Sequence, residues 1–276
     1  MTKIEINRDY VESCLLAYID ELFALPEIAG VKLRDIVIQN DEQKEAMLKE
    51  AISKSYHDCY SDSDISIIVN LPTDSEVSPK DYMEHSGRLG ITPDRYLGFS
   101  KNLNAGMYRI VFKDGIRYDF GFEFRYDDKY KPVELQKEPE RYSNPDWPIE
   151  KVDEFWFVMV QALGKLYRKD YLISAHLANI NVNETLVQQM ILRDMEHGTN
   201  HHRYGYCEEL AYRKYENENP FLLGDETFDM IASKLFAAAK AYDELAREFY
   251  PEYKARSEVL FDIWRCYHEH KRNNRQ

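Results

Sequence analysis

The chain of 276 residues is 44% hydrophobic and 31% charged, a balance typical of a globular protein that buries a substantial core. It holds no run of the roughly 20 apolar residues that cross a bilayer, and its first residues lack the basic and apolar segments of a signal peptide, so we expect no membrane partner. The formal net charge of −13 disfavours a nucleic-acid binder, because contacts to phosphates need a positive surface.

The N-terminal half contains both helical and strand patterns. Apolar residues recur at helical spacing over residues 9–25, and Pro26 ends the pattern. Residues 31–39 fit either a strand or a short apolar connection, and residues 41–53 fit a second helix. The run at residues 65–71 is rich in β-branched side chains and predicts a strand that stops at Pro72. Residues 73–103 are polar and rich in turns, with short helices expected near 80–89 and 93–97.

Two carboxylates, Asp62 and Asp64, stand at the start of the predicted strand, in the segment YSDSDISIIV at residues 60–69. Because strand side chains alternate, both should point to the same face. Like charges so close together usually need a cation between them, and hard oxygen ligands suit Mg²⁺. The alternative is an ordinary turn before a strand, since Asp and Ser are common turn residues.

A third carboxylate, Asp119, follows in a predicted hairpin. Residues 107–112 and 116–124 fit two strands, and the Lys-Asp-Gly sequence at 113–115 fits the turn between them. On the returning strand the aromatic residues share one face, and Asp119 and Glu123 share the other. An Asp in the middle of a strand is disfavoured, so we expect compensation by a metal or by a salt bridge to Arg117 or Arg125.

The composition changes between residues 126 and 148, which are charged, rich in proline and tyrosine, and without periodicity. We therefore place a domain boundary near Pro145, between a domain at 1–145 and one at 146–276. Helical patterns dominate the second domain, at 152–177, 186–195, 229–249 and 253–270. The predicted fold class is α+β, with an N-terminal mixed domain followed by a helical bundle.

Three basic residues, Lys165, Arg168 and Lys169, are spaced i, i+3 and i+4 within the first of these helical patterns. At that spacing we expect them to share one helix face. They form either a basic edge that meets the charge of a triphosphate or a solvated face paired with acids such as Asp170.

The order of three segments resembles the aminoglycoside 6-adenylyltransferase (streptomycin adenylyltransferase) family, which is related to the lincosamide nucleotidyltransferases. The segments are SDSDI at 61–65 with its strand, IRYDF at 116–120, and EFW at 154–156 leading into GKLYRKDYL at 164–172. A weaker similarity lies in YPEY at 250–253. The resemblance runs from about residue 55 onward and implies a mixed sheet of the nucleotidyltransferase type with flanking helices.

By this resemblance, the chain would be an antibiotic-resistance enzyme that transfers AMP from ATP to a hydroxyl of an aminoglycoside, with Mg²⁺ as cofactor. Asp62, Asp64 and Asp119 would hold the metal. Asp119 would also take the hydroxyl proton as general base, with Glu123 as the reserve candidate. The residues implied to bind the nucleotide are Ser55, Lys165, Arg168 and Lys169.

The chain departs from the family at the phosphate-binding turn. The family has a Gly-Ser pair before the two acids, whose backbone N–H groups cradle the triphosphate. The nearest match here is Lys54-Ser55, and no glycine occurs between Gly30 and Gly87. Lysine does not allow the close backbone approach that glycine allows. Either the Lys54 charge replaces those contacts or the protein is a nucleotide- or protein-binding module without the reaction, for example an antitoxin-like one.

The net charge and the cysteines bear on partner and location. An acidic surface would attract and steer a cationic acceptor, although many cytoplasmic proteins are acidic for solubility. The four cysteines are scattered without a CxxC pair, which favours reduced thiols and a cytoplasmic location.

Overall fold

The computed structural model describes residues 6–55, 58–102, 104–135, 149–197 and 228–273. The chain forms two compact units, one of Met1–Glu140 with Glu269–Gln276 and the other of Arg141–His268. The expected boundary near Pro145 lies outside the described residues. The end of the chain, which the sequence assigned to the domain at 146–276, groups with the first unit, where the His270 ring lies edge-on to Tyr60 at 5.7 Å.

The first unit contains one six-stranded sheet within its described residues. The strands are β1 (Ile28–Leu33), β2 (Ile36–Ile38), β3 (Ser63–Leu71), β4 (Tyr96–Asn102), β5 (Met107–Phe112) and β6 (Arg117–Tyr126). Their order across the sheet is β2-β1-β3-β6-β5-β4. The pair β3–β6 is parallel and the other neighbouring pairs are antiparallel, so the sheet is mixed. The helices of this unit are α1 (Arg8–Phe23), α2 (Lys44–Ser55) and α3 (Pro79–Glu84), with a 3₁₀ turn at Ser86–Leu89.

The sheet has one apolar face and one polar face, because side chains alternate along each strand. Tyr118 and Phe120 of β6 are buried on the apolar face, where Tyr18 of α1 packs on them with ring centroids 5.3 and 5.7 Å away. These contacts form the core of the unit. The alternate residues of the same strands, among them Asp64 and Asp119, therefore lie on the opposite, polar face.

The second unit is helical over its described residues. Its helices are α4 (Ile149–Tyr167), α5 (Tyr171–His197), α6 (Phe228–Phe249) and the larger part of α7 (Ser257–Asn273). Phe155 of α4 stacks on Tyr242 of α6 at 3.7 Å. Asp243 of α6 accepts hydrogen bonds from the backbone N–H groups of Arg256 and Ser257 at 3.0 and 2.9 Å, so a buried carboxylate caps the start of α7.

Most of the predicted elements are confirmed, including the first two helices, the strand at 65–71 and the hairpin. Two predictions are wrong. Residues 96–102 form β4 rather than a helix near 93–97, since they pair with β5. The pattern at 152–177 is interrupted, because α4 ends at Tyr167 and α5 begins at Tyr171. None of the helices in the described ranges combines the length and the apolar composition needed to span a bilayer.

Candidate functional site

The parallel pairing of β3 and β6 brings two of the three predicted acids side by side. Asp64 is the second residue of β3 and Asp119 the third residue of β6, and the register pairs them directly. Neighbouring strands lie about 4.8 Å apart, so two side chains paired in this way share one face and lie within reach of a common ion. Both acids lie near the N-terminal ends of their strands.

Asp62 precedes β3 and is held by a buried arginine. Arg117 Nη2 donates to Asp62 Oδ2 at 2.9 Å, and Arg117 Nη1 donates to the Tyr60 carbonyl at 3.4 Å. Burial alone would raise the pKa of Asp62, but the Arg117 charge, the hydrogen bonds to the carboxylate and the Arg109 charge together hold the pKa below its ordinary value. Asp62 is therefore ionised at neutral pH.

Asp119 is paired with an arginine from the neighbouring strand. The antiparallel register of β5 and β6 sets Arg109 opposite Asp119, and Arg109 Nε donates to Asp119 Oδ2 at 2.9 Å. The Asp119 side chain is 12% exposed and that of Arg109 35%. Burial raises the pKa of Asp119 above its ordinary value; the Arg109 charge opposes this and the Asp62 charge adds to it.

Asp64 differs from the other two acids because it has no such partner. Its side chain is exposed, and among the described residues it makes no hydrogen bond or ion pair. The polar face thus carries a row of Asp64, Asp119 and Arg109 across three neighbouring strands. In this row an acid without a counter-ion lies next to an acid that has one.

The three acids suit a divalent cation, because carboxylate oxygens are the hard ligands that Mg²⁺ prefers. The strand register also places Asp64 and Asp119 next to each other. The side chains, however, are arranged as ion pairs. Within the described ranges, no three His, Cys, Asp or Glu side chains surround a common metal position. Asp119 is compensated by a salt bridge, as one alternative from the sequence foresaw, but its partner is Arg109 rather than Arg117 or Arg125. Each arginine bonds Oδ2 of its acid, so these two bonds leave Oδ1 of Asp62 and of Asp119 for another partner.

Glu123, the reserve candidate for the base, does not join this row. It lies on the same strand face, but four residues of strand separate it from Asp119 by about 13 Å. It is paired with Ile68 in the register, and its carboxylate accepts a hydrogen bond from Arg125 Nη2 at 2.7 Å. The geometry therefore does not bring Glu123 to Asp64 and Asp119.

The Lys54-Ser55 pair does not form a phosphate-binding turn between strands. Ser55 is the last residue of α2, and Lys54 Nζ pairs with Glu50 one turn earlier at 2.6 Å. The C-terminal end of a helix presents carbonyl oxygens and a negative dipole, which disfavours an anion. The backbone at this point therefore does not supply the cradle expected around Ser55.

The three basic residues of the second unit do not share a helix face, contrary to the prediction, because α4 ends at Tyr167. Lys169 has a left-handed backbone with φ of 65°. Its N–H donates to the Leu166 carbonyl and that of Asp170 to the Lys165 carbonyl, each at 3.0 Å, which is a Schellman ending with lysine in the place usually taken by glycine. Lys165 Nζ lies 3.7 Å from an Asp170 oxygen, and the side chains of Arg168 and Lys169 are exposed.

Gly121 leaves open space beside Asp119 on the polar face. Its backbone is not left-handed, and a Cβ built on it would meet only Ser66 Oγ among the described atoms, at an ordinary 3.5 Å. Neither conformation nor packing within the described residues requires glycine here. A glycine inside a strand often marks a close approach by another group.

The cavities among the described residues are not lined by Asp64 or Asp119. One of about 270 Å³ is lined by Tyr118 and Phe112, on the apolar face. Another, between Asp62 and the apolar side chains of Val11, Leu15 and Ile52, measures about 20 Å³, which is room for a water molecule and not for a nucleotide.

Arg109 is a site residue that the sequence pattern did not single out. The hairpin contains the signal, since Phe112 and Ile116 flank the turn and the Phe112 N–H donates to the Ile116 carbonyl at 2.9 Å. Counting back three residues on each strand from that pair sets Arg109 opposite Asp119.

Comparisons with protein-family models and with curated proteins gave no match. The chemistry of the site therefore carries the functional conclusion.

Proposed function

We propose that the protein is a Mg²⁺-dependent nucleotidyltransferase that moves a nucleoside monophosphate, AMP from ATP, to a hydroxyl of a small molecule. The observation that carries the proposal is the direct pairing of Asp64 with Asp119 on adjacent parallel strands, with Asp62 beside them. The mixed sheet with its acids on two central strands is compatible with a nucleotidyltransferase fold. The helical second unit is compatible with a C-terminal bundle.

Each acid has a distinct part in the proposed reaction. Asp62 and Asp64 hold the cofactor, and Arg117 keeps Asp62 ionised and fixed in place. Asp119 completes the ligand set or accepts the proton of the attacking hydroxyl, for which it is better placed than Glu123. Mg²⁺ held by these residues would supply Lewis-acid stabilisation of the attacked phosphate and of the leaving pyrophosphate.

The proposed acceptor is a polyamine-like antibiotic of the aminoglycoside class, and the biological role is resistance by modification. The net charge of −13 supports a cationic acceptor, since a negative field raises the encounter rate with positive molecules. The same charge argues against a nucleic-acid acceptor.

A nucleotide- or protein-binding module without catalysis is the second candidate. One observation favours it: Lys54 and Ser55 belong to the end of a helix and do not form a phosphate cradle. In that case the three acids would be a structural ion-pair cluster with the two arginines.

Isothermal titration calorimetry of ATP with and without Mg²⁺ separates the two candidates. We expect wild-type protein to bind ATP only with Mg²⁺, and Asp64→Ala to lose this binding while keeping its stability, because Asp64 is exposed. Asp128→Ala is the matched control, since Asp128 is also exposed and in the same unit. Binding that needs no Mg²⁺ and survives in Asp64→Ala would contradict the enzyme and support the module.

A further inference from the structure

The apolar face of the sheet carries a cavity of about 270 Å³ at the turn between β5 and β6, which we call the hairpin cavity. Its lining comes from α1, from the residue before β4 and from the hairpin. The volume lies near the lower end of the range for ligand pockets, about 300–1,000 Å³, and leaves room for two fused rings. Tyr118 lines the cavity, and side chains alternate along β6, so the cavity and Asp119 lie on opposite faces.

Aromatic rings form the apolar part of the lining. Tyr18, Phe112 and Tyr118 are between 2% and 6% exposed, and their ring centroids lie 5.3–5.9 Å apart. The Arg95 guanidinium lies 5.5 Å from the Phe112 centroid and 6.0 Å from the Tyr18 centroid. A flat polar group therefore already packs on these rings, and both aromatic rings and guanidinium planes stack on a further flat ring. The cavity favours a planar ligand.

The charged groups at the rim are compensated within the protein. Glu21 accepts hydrogen bonds from both Nη atoms of Arg95, so this guanidinium has its counter-ion. Lys113 Nζ donates to the Asp94 carbonyl at 2.9 Å. An anionic ligand would face the Asp114 carboxylate, and a cationic ligand would face Arg95 and Lys113. The rim therefore suits an uncharged ligand better than either ion.

The rim offers an acceptor and donors to such a ligand. Asp114 Oδ1 accepts from the Ile116 N–H at 3.0 Å, and the Asp114 carboxylate also accepts from the Tyr10 hydroxyl. A carboxylate has about four acceptor sites, so it can take a further N–H. Burial raises the pKa of Asp114 above its ordinary value, so its present partners do not fully replace the lost water. Arg95 and Lys113 supply N–H donors for a ligand oxygen or nitrogen.

We propose that the hairpin cavity binds a small, uncharged, planar nitrogen heterocycle, with its ring against the aromatic lining and its N–H donated to Asp114. The inference does not depend on the proposed enzyme, because the cavity and the acids lie on opposite faces of the sheet. It gives the protein a second ligand, apart from the donor and the acceptor of the proposed reaction.

The probe for this site is quinazolin-4-one, an uncharged fused ring whose edge carries one amide N–H and one carbonyl oxygen. Its 3-methyl derivative lacks the N–H. Naphthalene-2-carboxylate and 2-(aminomethyl)naphthalene are an anionic and a cationic ring of similar size. Titrations of the full chain, followed by saturation-transfer difference NMR, give a dissociation constant for each compound.

Two variants locate the bound probe. Cys14→Phe places a ring in the cavity from α1, and Ser13→Phe is the matched control, because Ser13 is the neighbouring residue of the helix, is exposed and lies outside the lining. Asp114→Asn keeps an oxygen that can accept the Ile116 N–H and removes the carboxylate. Thermal melting of each variant shows whether it is folded.

We expect wild type to bind quinazolin-4-one with a dissociation constant of about 1 mM, as for a ligand of this size. Cys14→Phe should bind it at least about tenfold more weakly, and Ser13→Phe should match wild type. Asp114→Asn should weaken binding about fivefold, as for one hydrogen bond. The 3-methyl derivative should bind wild type about fivefold more weakly and should not distinguish wild type from Asp114→Asn. Both charged naphthalenes should bind more weakly than quinazolin-4-one.

Several results would overturn the proposal. Wild type that does not bind quinazolin-4-one has no such site, and equal binding in a folded Cys14→Phe variant would place the probe elsewhere. Tighter binding of a charged naphthalene, lost in Cys14→Phe, would assign the cavity to another class of ligand. If Cys14→Phe does not fold, equal affinities of the two quinazolinones for wild type and for Asp114→Asn would still refute the contact with Asp114. None of these results bears on the acids, so the proposed function would stand.

Discussion

Charge balance at single residues decides what the polar face can bind. Asp62 and Asp119 each have an arginine at 2.9 Å, whereas Asp64 has no such partner among the described residues. The adjacent carboxylates of Asp64 and Asp119, with the single guanidinium of Arg109 beside Asp119, leave a net negative charge next to the space at Gly121. A metal ion with a bound triphosphate has a positive centre that the carboxylates can bind and anionic oxygens that the arginine can bind.

Gly121 provides a test of that open space. Gly121→Ala should raise the free energy of unfolding by about 0.5–1 kcal/mol, because a strand glycine carries an entropic cost and the new Cβ has room. If substrate lies over this point, the same substitution should weaken substrate binding severalfold. Urea unfolding and calorimetry with α,β-methylene-ATP measure the two effects.

Gly30→Ala is the control for the space at Gly121. A Cβ on Gly30 would come within 3.2 Å of the Ile38 carbonyl oxygen, so this variant should be less stable. A Gly121→Ala variant that loses stability as Gly30→Ala does, with unchanged binding, would show that the space serves the fold.

Elements were predictable from the sequence where a local pattern determines them. The hairpin of β5 and β6 follows from its turn, because Gly115 with φ of 89° satisfies the left-handed position that the three-residue loop requires. The parallel pairing of β3 with β6 has no local signal, since these strands are far apart in the chain. The alignment of Asp64 with Asp119 thus had to come from the structure.

The end of α4 was missed for a specific physical reason. A glycine usually marks the left-handed residue of a Schellman ending, and here that residue is Lys169. The charged residues around it instead continued the helical pattern into the next helix. The prediction that the three basic side chains share one helix face was therefore wrong.

Lys169→Gly should therefore stabilise the protein. A lysine with φ of 65° pays a steric cost that glycine avoids, so we expect a gain of about 1 kcal/mol in the free energy of unfolding. Arg168→Gly is the control, because Arg168 does not have a positive φ and glycine there should cost stability. A melting temperature that falls in Lys169→Gly would refute this explanation.

A buried ion pair connects the start of β1 to the 3₁₀ turn at Ser86–Leu89. Arg88 Nη2 donates to Glu27 Oε2 at 3.0 Å and Tyr82 Oη to Glu27 Oε1 at 3.1 Å, while the Glu27 side chain is 2% exposed. Burial alone would raise the pKa of Glu27, but the hydrogen bonds and charge of Arg88, together with the backbone and Tyr82 hydrogen bonds, hold the pKa below its ordinary value.

The sign of this shift predicts a pH dependence. A carboxyl with a lowered folded-state pKa stabilises the protein above its unfolded value near 4.5, and the contribution disappears as the pH falls through the folded value. Glu27→Gln should cost about 3 kcal/mol at pH 7, because it leaves Arg88 without its counter-ion. Urea unfolding at pH 7, 5 and 3.5 should show the gap between wild type and variant shrinking at the lowest pH. A gap that widens on acidification would mean that the pair does not stabilise the fold.

At the scale of the whole molecule, the net charge of −13 creates a negative field that acts on any charged acceptor. If the acceptor is cationic, kcat/KM should fall severalfold when the salt concentration rises from about 0.02 to 0.3 M, since the screening length drops below 10 Å. A neutral hydroxyl acceptor measured in parallel is the control. Equal salt dependence for both acceptors would remove the steering argument and leave the acceptor class open.

The central claim is that Asp62, Asp64 and Asp119 bind one metal–nucleotide complex at the N-terminal ends of the neighbouring strands β3 and β6. Anomalous diffraction from a crystal grown with Mn²⁺ and α,β-methylene-ATP tests it most directly. We expect a manganese peak about 2.1 Å from oxygens of Asp64 and Asp119. An ordered nucleotide whose metal lies away from Asp64 and Asp119 would contradict the account.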